Sequence, residues 1–218
     1  MSAHVITVAQ QKGGAGKTTL AAHLAVAWSE MGMRVAAVDI DPQGSLDHWH
    51  SIREKRSELA DDILFSRLSG WRVGSEITRL RSKADIVIVD SPPHTETEAR
   101  TAIRHSDLIL VPLQPSPLDL WATQATLQIA KDERVPVKMV LNRVNPNAKL
   151  SQSIADQLGE CSHSRLGNRV LFAGALMAGL GVTEAAPYSP AAEEIWALAE
   201  ELLLHFGVEL EPVLTGTA

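Results

Sequence analysis

Nine residues, Gln11-Lys-Gly-Gly-Ala-Gly-Lys-Thr-Thr19, follow the apolar run 5–10 and lead into a helix-length segment. Their types and spacing suit an anion. Gly13, Gly14 and Gly16, with the small Ala15 among them, let backbone N–H groups turn inward on a phosphate, and a helix opening near Gly16 adds the positive end of its dipole. Lys17 is placed to reach the β- and γ-phosphates of a nucleoside triphosphate, Thr18 to set its hydroxyl on Mg²⁺, and Thr19 to donate to the α-phosphate. The usual loop has a glycine six residues before its lysine; here that place is Gln11. A second lysine, Lys12, stands before the glycines, although one suffices to hold a triphosphate. It is either a solvated bystander or has a task the usual loop lacks.

Carboxylates recur at the ends of later apolar runs. Val-Asp-Ile-Asp-Pro-Gln-Gly-Ser (38–45) carries Asp39 and Asp41. Two residues apart, they point to opposite sides of a continuing strand and converge if it stops at Ile40. Asp-Pro-Gln-Gly is also good turn chemistry, and on its own the segment reads as a turn. Ala-Asp-Ile-Val-Ile-Val-Asp-Ser-Pro-Pro (84–93) ends in Asp90, the pattern of a carboxylate that holds Mg²⁺, often through water. Pro92 and Pro93 stiffen the segment that follows. Val-Leu-Asn-Arg (140–143) closes a further run, and Arg143 is suited to stack on a base or pair with a phosphate.

The elements that must position these residues are legible. The runs 5–10, 34–40, 84–90, 106–114 and 135–142 are short, continuous and β-branched, as expected of strands buried on both faces of a parallel sheet. Between them lie helix-length segments. Residues 16–32 place Leu20, Leu24, Ala27 and Met31 on one stripe and end at Gly32. Ser116-Pro117 and Ser189-Pro190 open two others as cap and first-turn residues, and Gly207 closes the last. Residues 50–82 are less periodic and read as a helix, a short strand near 62–68 and another helix. Trp28, Trp121 and Trp196 are expected in the core, and Trp49 or Trp71 is a candidate for a surface, partner-facing place. The alternation predicts an α/β fold: a doubly wound, mostly parallel sheet with helices on both faces. Residues 1–218 are read as one domain with a frayed end, 211–218.

In this order, Gln-Lys-Gly-Gly-Ala-Gly-Lys-Thr-Thr, Val-Asp-Ile-Asp-Pro-Gln-Gly-Ser, Ile-Val-Ile-Val-Asp-Ser-Pro-Pro and Leu-Val-Pro-Leu-Gln-Pro-Ser-Pro-Leu-Asp-Leu-Trp-Ala resemble the ParA/MinD family of dimerising ATPases. That class of P-loop NTPase has a deviant Walker A loop with the additional lysine. The resemblance implies ATP and Mg²⁺ as ligands and weak, partner-stimulated hydrolysis. It implies that Lys12 crosses a homodimer interface to the phosphates bound by the other copy, alongside Lys17, and that Asp41 positions the attacking water. Asp39 would support the magnesium shell or the loop geometry, Thr18 and Asp90 the metal, Pro92 the second switch, and Asn142 the adenine edge. The short ParA-type and ParF-like members imply a dimer that binds DNA without sequence preference, works with a ParB-type adaptor, and positions a plasmid, chromosome region or protein cluster on the nucleoid in the cytoplasm.

Composition limits the alternatives. The formal charge is −6, and after Arg169 there are seven glutamates and no Lys or Arg. A DNA surface must therefore be a local patch before residue 170, for which Lys149, Arg165 and Arg169 are the candidates. A MinD-like membrane-positioning ATPase ends in a basic amphipathic helix, which this acidic stretch does not offer; no membrane partner is expected. The single cysteine, Cys161, fits a reducing compartment and rules out the usual cysteine-held cluster. A metabolic relative, such as a dethiobiotin synthetase-like ligase, stays open on residue counts. His48 and His50 are spaced wrongly for one helix face, so zinc is not expected.

Overall fold

The computed structural model describes residues 3–56, 59, 62–93, 97–145, 154 and 161–208. Six parallel strands form one sheet in the order β3-β2-β4-β1-β5-β6. They are β1 (His4–Val8), β2 (Val35–Asp39), β3 (Ile63–Arg67), β4 (Ile86–Asp90), β5 (Leu108–Leu113) and β6 (Val137–Leu141). The described α-helices are α1 (Lys17–Glu30), α2 (Ser45–Arg53), α3 (Val73–Leu80), α4 (Thr97–Arg104), α5 (Pro117–Glu133), α6 (Val170–Met177), the short α7 (Val182–Ala185) and α8 (Pro190–His205). The doubly wound parallel architecture is therefore as the sequence predicts. The expectations for Lys149 and for the frayed end lie outside the described residues.

Strand alternation explains why the runs are continuously apolar. Ile6, Val8, Ile86, Ile88, Leu108 and Leu110 pack against α1 and α8 on one face. Val5, Val87, Val89, Ala36 and Val38 meet α3 and α4 on the other. Each fully buried Ile or Leu of this kind contributes about 1.5–3 kcal/mol.

Helix α1 departs from the single stripe. Leu20 through Trp28 are all buried, because the C-terminal helices cover the side that the sheet does not. Trp28 donates its indole N–H to the Ala199 carbonyl at 3.2 Å, joining α1 to α8. The expected caps are present: the Ser116 hydroxyl accepts from the Asp119 N–H and the Ser189 hydroxyl from the Ala192 N–H, each with proline in the first turn.

Of the tryptophans, Trp121 sits opposite to expectation. Trp49 is buried, its N–H on the Leu180 carbonyl at 3.3 Å, because α2 lies under the chain between α6 and α7. Trp121 is 67% exposed. The inward face of α5 is polar in its first half, with Asp119, Thr123 and Thr126 buried, before Leu127, Ile129 and Ala130 join the core, so the apolar Leu118 and Trp121 fall outside. Of the two surface candidates, Trp71 is exposed and Trp49 is not.

One buried cation ties α2 to the C-terminal half. Arg53 is only 1% exposed and bonds Asp62, the Gly179 carbonyl (3.1 Å) and Glu184 (2.7 and 2.9 Å). Helix α2 begins directly after the Asp41 turn, so this network anchors the far end of the segment that carries that turn.

Candidate functional site

Every strand of a parallel sheet delivers its carboxyl end to the same edge, and the candidate residues collect there. In the pairing of β1 with β4, Val8 stands opposite Asp90, so the loop after β1 starts beside that carboxylate. Ser91 seals the junction by donating its hydroxyl to the Val8 carbonyl at 2.8 Å.

The glycine loop is open where a phosphate would lie. Gly13 and Gly14 are exposed, and nothing stands within 4 Å of where a side chain would begin at either. Gly16 is required on two counts. Its φ is 100°, and a Cβ there would come within 2.3 Å of the Asn142 Nδ2. That nitrogen donates to the Ala15 carbonyl at 2.8 Å, while the Asn142 Oδ1 accepts from the Arg143 N–H. The Asn142 amide thus braces the loop from beneath, leaving one N–H and one lone pair for other partners. Arg143 is exposed, with φ 54°. A cavity of about 240 Å³ opens just beyond it, lined by Val144, Asn145, Gly167, Asn168 and Arg169.

Lys17, at the start of α1, is buried beneath the loop. Burial lowers its pKa, and the charges of Asp90 and Asp41 oppose that shift. The structure thereby brings together three residues that the sequence separates by up to 73 positions. Thr18 donates its hydroxyl to the Asp90 Oδ2 at 2.6 Å. The other oxygen, Oδ1, is buried with no hydrogen-bond partner, and burial pushes the Asp90 carboxyl up to about 7. An orphaned carboxylate oxygen beside a threonine hydroxyl at the mouth of a phosphate loop fits a hard divalent cation such as Mg²⁺. Thr18 and Asp90 could hold such an ion, which would supply positive charge against the phosphate oxygens.

Asp39 and Asp41 do different jobs. Strand β2 ends at Asp39, which is fully buried; burial raises its pKa, while the backbone amides of Asp47 and Asp41 pull the other way. Its Oδ1 accepts from the Asp41 N–H and its Oδ2 from the Asp47 N–H, both at 2.9 Å. That is the loop-geometry half of the expectation for Asp39. Asp41 heads a tight turn: its Oδ1 accepts from the Gln43 N–H and its carbonyl from the Gly44 N–H, both at 2.9 Å. Pro92 is buried behind Asp90.

Lys12 is paired outside its own loop. Its ammonium is ion-paired with Asp119 on the first turn of α5. Burial pushes the Asp119 carboxyl up, but bonds from Lys12, Ser116 and the Gln114 N–H outweigh it and leave the pKa below the usual value. Sequence reasoning did not single out Asp119. Its signal is a helix-start pattern, Ser116 followed three residues later by an acid.

The candidate basic patch is less open than the sequence suggests. Arg169 is bidentate to Glu194, at 2.6 and 3.0 Å from its Oε1. Arg165 and Arg169 share a cavity rim with Glu193 and Glu194. No group of three or more His, Cys, Asp or Glu able to hold a metal occurs among the described residues.

A phosphate loop at the carboxyl edge of this sheet, with an acid at the end of the neighbouring strand, defines a nucleotide-binding α/β protein. Residues 6–173 match the CobQ/CobB/MinD/ParA nucleotide binding domain, and the chain belongs to that family. It is 29% identical over 212 residues to maintenance of carboxysome distribution protein A of Halothiobacillus neapolitanus, covering 92% of this chain and 97% of that one. In fold it is similar to the septum site-determining protein MinD of Pyrococcus horikoshii, complexed with Mg-ADP, with TM-score 0.79, 19% identity and coverage of 94% and 98%. It is likewise similar to a single-substitution variant of Cyanothece McdA in complex with ATP, with TM-score 0.75, 17% identity and coverage of 95% and 98%. No described helix is long and apolar enough to cross a membrane.

Proposed function

We propose that the protein is a ParA-type ATP hydrolase. It closes into a homodimer when ATP is bound, holds non-specific DNA in that state, and positions a cargo over the nucleoid with a ParB-type adaptor that stimulates hydrolysis. The observation that carries this reading is Lys12. It stands at the open rim of a phosphate loop already served by Lys17, and it is held by Asp119 rather than by the loop. A triphosphate enclosed between two copies brings several negative charges out of water, which is tolerable only if cations meet them. A lysine from each side answers that need.

In this reading Lys17 and the N–H groups of residues 13–19 hold the phosphates. Thr18 and Asp90 hold Mg²⁺, and Asp41 orients the attacking water. Asn142 uses its remaining amide capacity on the adenine edge, with Arg143 beside it. Phosphoryl transfer needs an in-line water and neutralised charge, and no nucleophile triad. The likeness over nearly the whole length of the carboxysome-distribution protein supports a positioning role for the family reading. On the DNA side, Glu194 neutralises Arg169, so a phosphate must displace that carboxylate or meet other cations. Residues 1–218 act as one domain.

The test is binding to a non-specific duplex with ATP, ADP or no nucleotide, in Asp41→Ala to retain ATP, across a salt series. Salt-sensitive binding with ATP alone supports the reading. A dimer that binds no duplex in any state removes the DNA step and leaves a DNA-independent scaffold or a metabolic relative, to be separated next with lipid and small-molecule substrates.

A further inference from the structure

Arg67 closes over the turn that carries Asp41, and nothing in the motifs points to it. It is the last residue of the edge strand β3, paired in register with Asp39 of β2. From there its guanidinium reaches across the turn. Nη1 donates to the Asp47 Oδ2 at 2.8 Å and Nη2 to the Pro42 carbonyl at 3.3 Å. Between these contacts it lies on Gly44. A Cβ at Gly44 would stand 2.6–3.0 Å from Nη2, Cζ and Nη1, and the φ of 64° there also selects glycine. The turn is thus gripped from two sides. Asp39 takes the Asp41 and Asp47 N–H groups from inside the sheet, and Arg67 takes the Pro42 carbonyl and Asp47 carboxylate from outside.

We propose that Arg67 is a positioning residue for hydrolysis, acting through the 41–47 segment to hold the Asp41 carboxylate at the site; this rests on the reading of Asp41 as the water-orienting group. The planar fork matters. One guanidinium spans a carbonyl and a carboxylate while lying flat on a glycine, and an ammonium cannot do all three. The pair with Asp47 is about half exposed, so its loss should barely change folding. Geometry at a reacting centre is far less forgiving, since a misplacement of about 1 Å can cost around a hundredfold in rate.

The test is single-turnover ATP hydrolysis, with ATP affinity and melting temperature measured on the same samples. Arg67→Ala is expected to lower the hydrolysis rate at least about tenfold, with ATP affinity within about twofold of the parent and an almost unchanged melting temperature. Arg67→Lys should be nearly as slow. Asp47→Ala, which removes one of the two anchors without touching β3, should be slowed severalfold. Combined with Asp41→Ala, Arg67→Ala should cause no further loss, because both act through one carboxylate. Hydrolysis at the parent rate in Arg67→Ala overturns the inference. So does a further loss of the same size in the Asp41→Ala background, which would place the action of Arg67 elsewhere. If Asp41→Ala itself hydrolyses at the parent rate, it is the reading of Asp41 that fails, and that result is distinct from both.

Discussion

Lys12 and Asp119, 107 positions apart, form an ion pair in which the carboxylate is 1% exposed and the lysine side chain 37% exposed. Asp119 has other bonds, from the Ser116 hydroxyl at 2.6 Å and the Gln114 N–H at 3.3 Å. The lysine that the family reading sends across a dimer interface is therefore stored, in a single copy, on a buried acid of its own chain.

That pair has an energetic signature. Lys12→Ala strips a buried carboxylate of its cation, which costs more than the pair itself contributes. Lys12→Ala alone should lose stability, and adding Asp119→Asn should restore part of it. A double-mutant cycle from urea melts should return a coupling of about 1–3 kcal/mol. Strictly additive losses would mean the two side chains do not interact in solution.

Asp90 predicts a conflict between stability and function. With no cation, burial holds its carboxyl up at about 7, so the folded chain keeps a proton there that the unfolded chain sheds near the ordinary value of 3.8. Stability from this group is therefore lost as pH rises from about 4 to 7. Asp90→Asn should raise the melting temperature of the nucleotide-free protein at pH 8, on the order of a few degrees, while abolishing stabilisation by Mg²⁺ with nucleotide. Thermal melts with and without both ligands check this; a lower ligand-free melting temperature would count against it.

His23 gives the opposite dependence. The ring is fully buried in α1, its Nδ1 accepts the Val182 N–H at 3.0 Å, and burial pulls its pKa down to about 4. Between about 4 and 6.5 the unfolded chain holds a proton that the folded chain lacks, so this stability is present above 6.5 and lost as pH falls through that window. The slope should approach one proton, up to about 3 kcal/mol in all. Urea melts from pH 7 to 4.5 measure it, and His23→Gln should flatten this component of the slope.

Much of the site was legible because its parts are contiguous. The glycine loop, Asp39, Asp41 and Asp90 each lie at the end of a short β-branched run, and a parallel sheet brings such ends to one edge. Asp119 and Arg67 were not legible, since each acts across the fold on a residue many positions away. Asp119 also sits on a helix whose inward face is polar at its start, which reversed the expected placement of Trp121. The choice between Trp49 and Trp71 was open for a related reason: the burial of Trp49 depends on the chain between α6 and α7, which periodicity within α2 cannot report. The arginine patch was legible as residues and not as charge, because Glu194 comes 25 positions after the Arg169 it neutralises.

The central claim is that ATP joins two copies through Lys12. Sedimentation velocity of Asp41→Ala with Mg²⁺ and either ATP or ADP, beside the Lys12→Ala/Asp41→Ala double variant, tests it most directly. The account predicts a dimer for Asp41→Ala with ATP, a monomer with ADP, and a monomer for the double variant even though it still binds ATP. A monomer throughout, or a double variant that dimerises as well as Asp41→Ala, would contradict it.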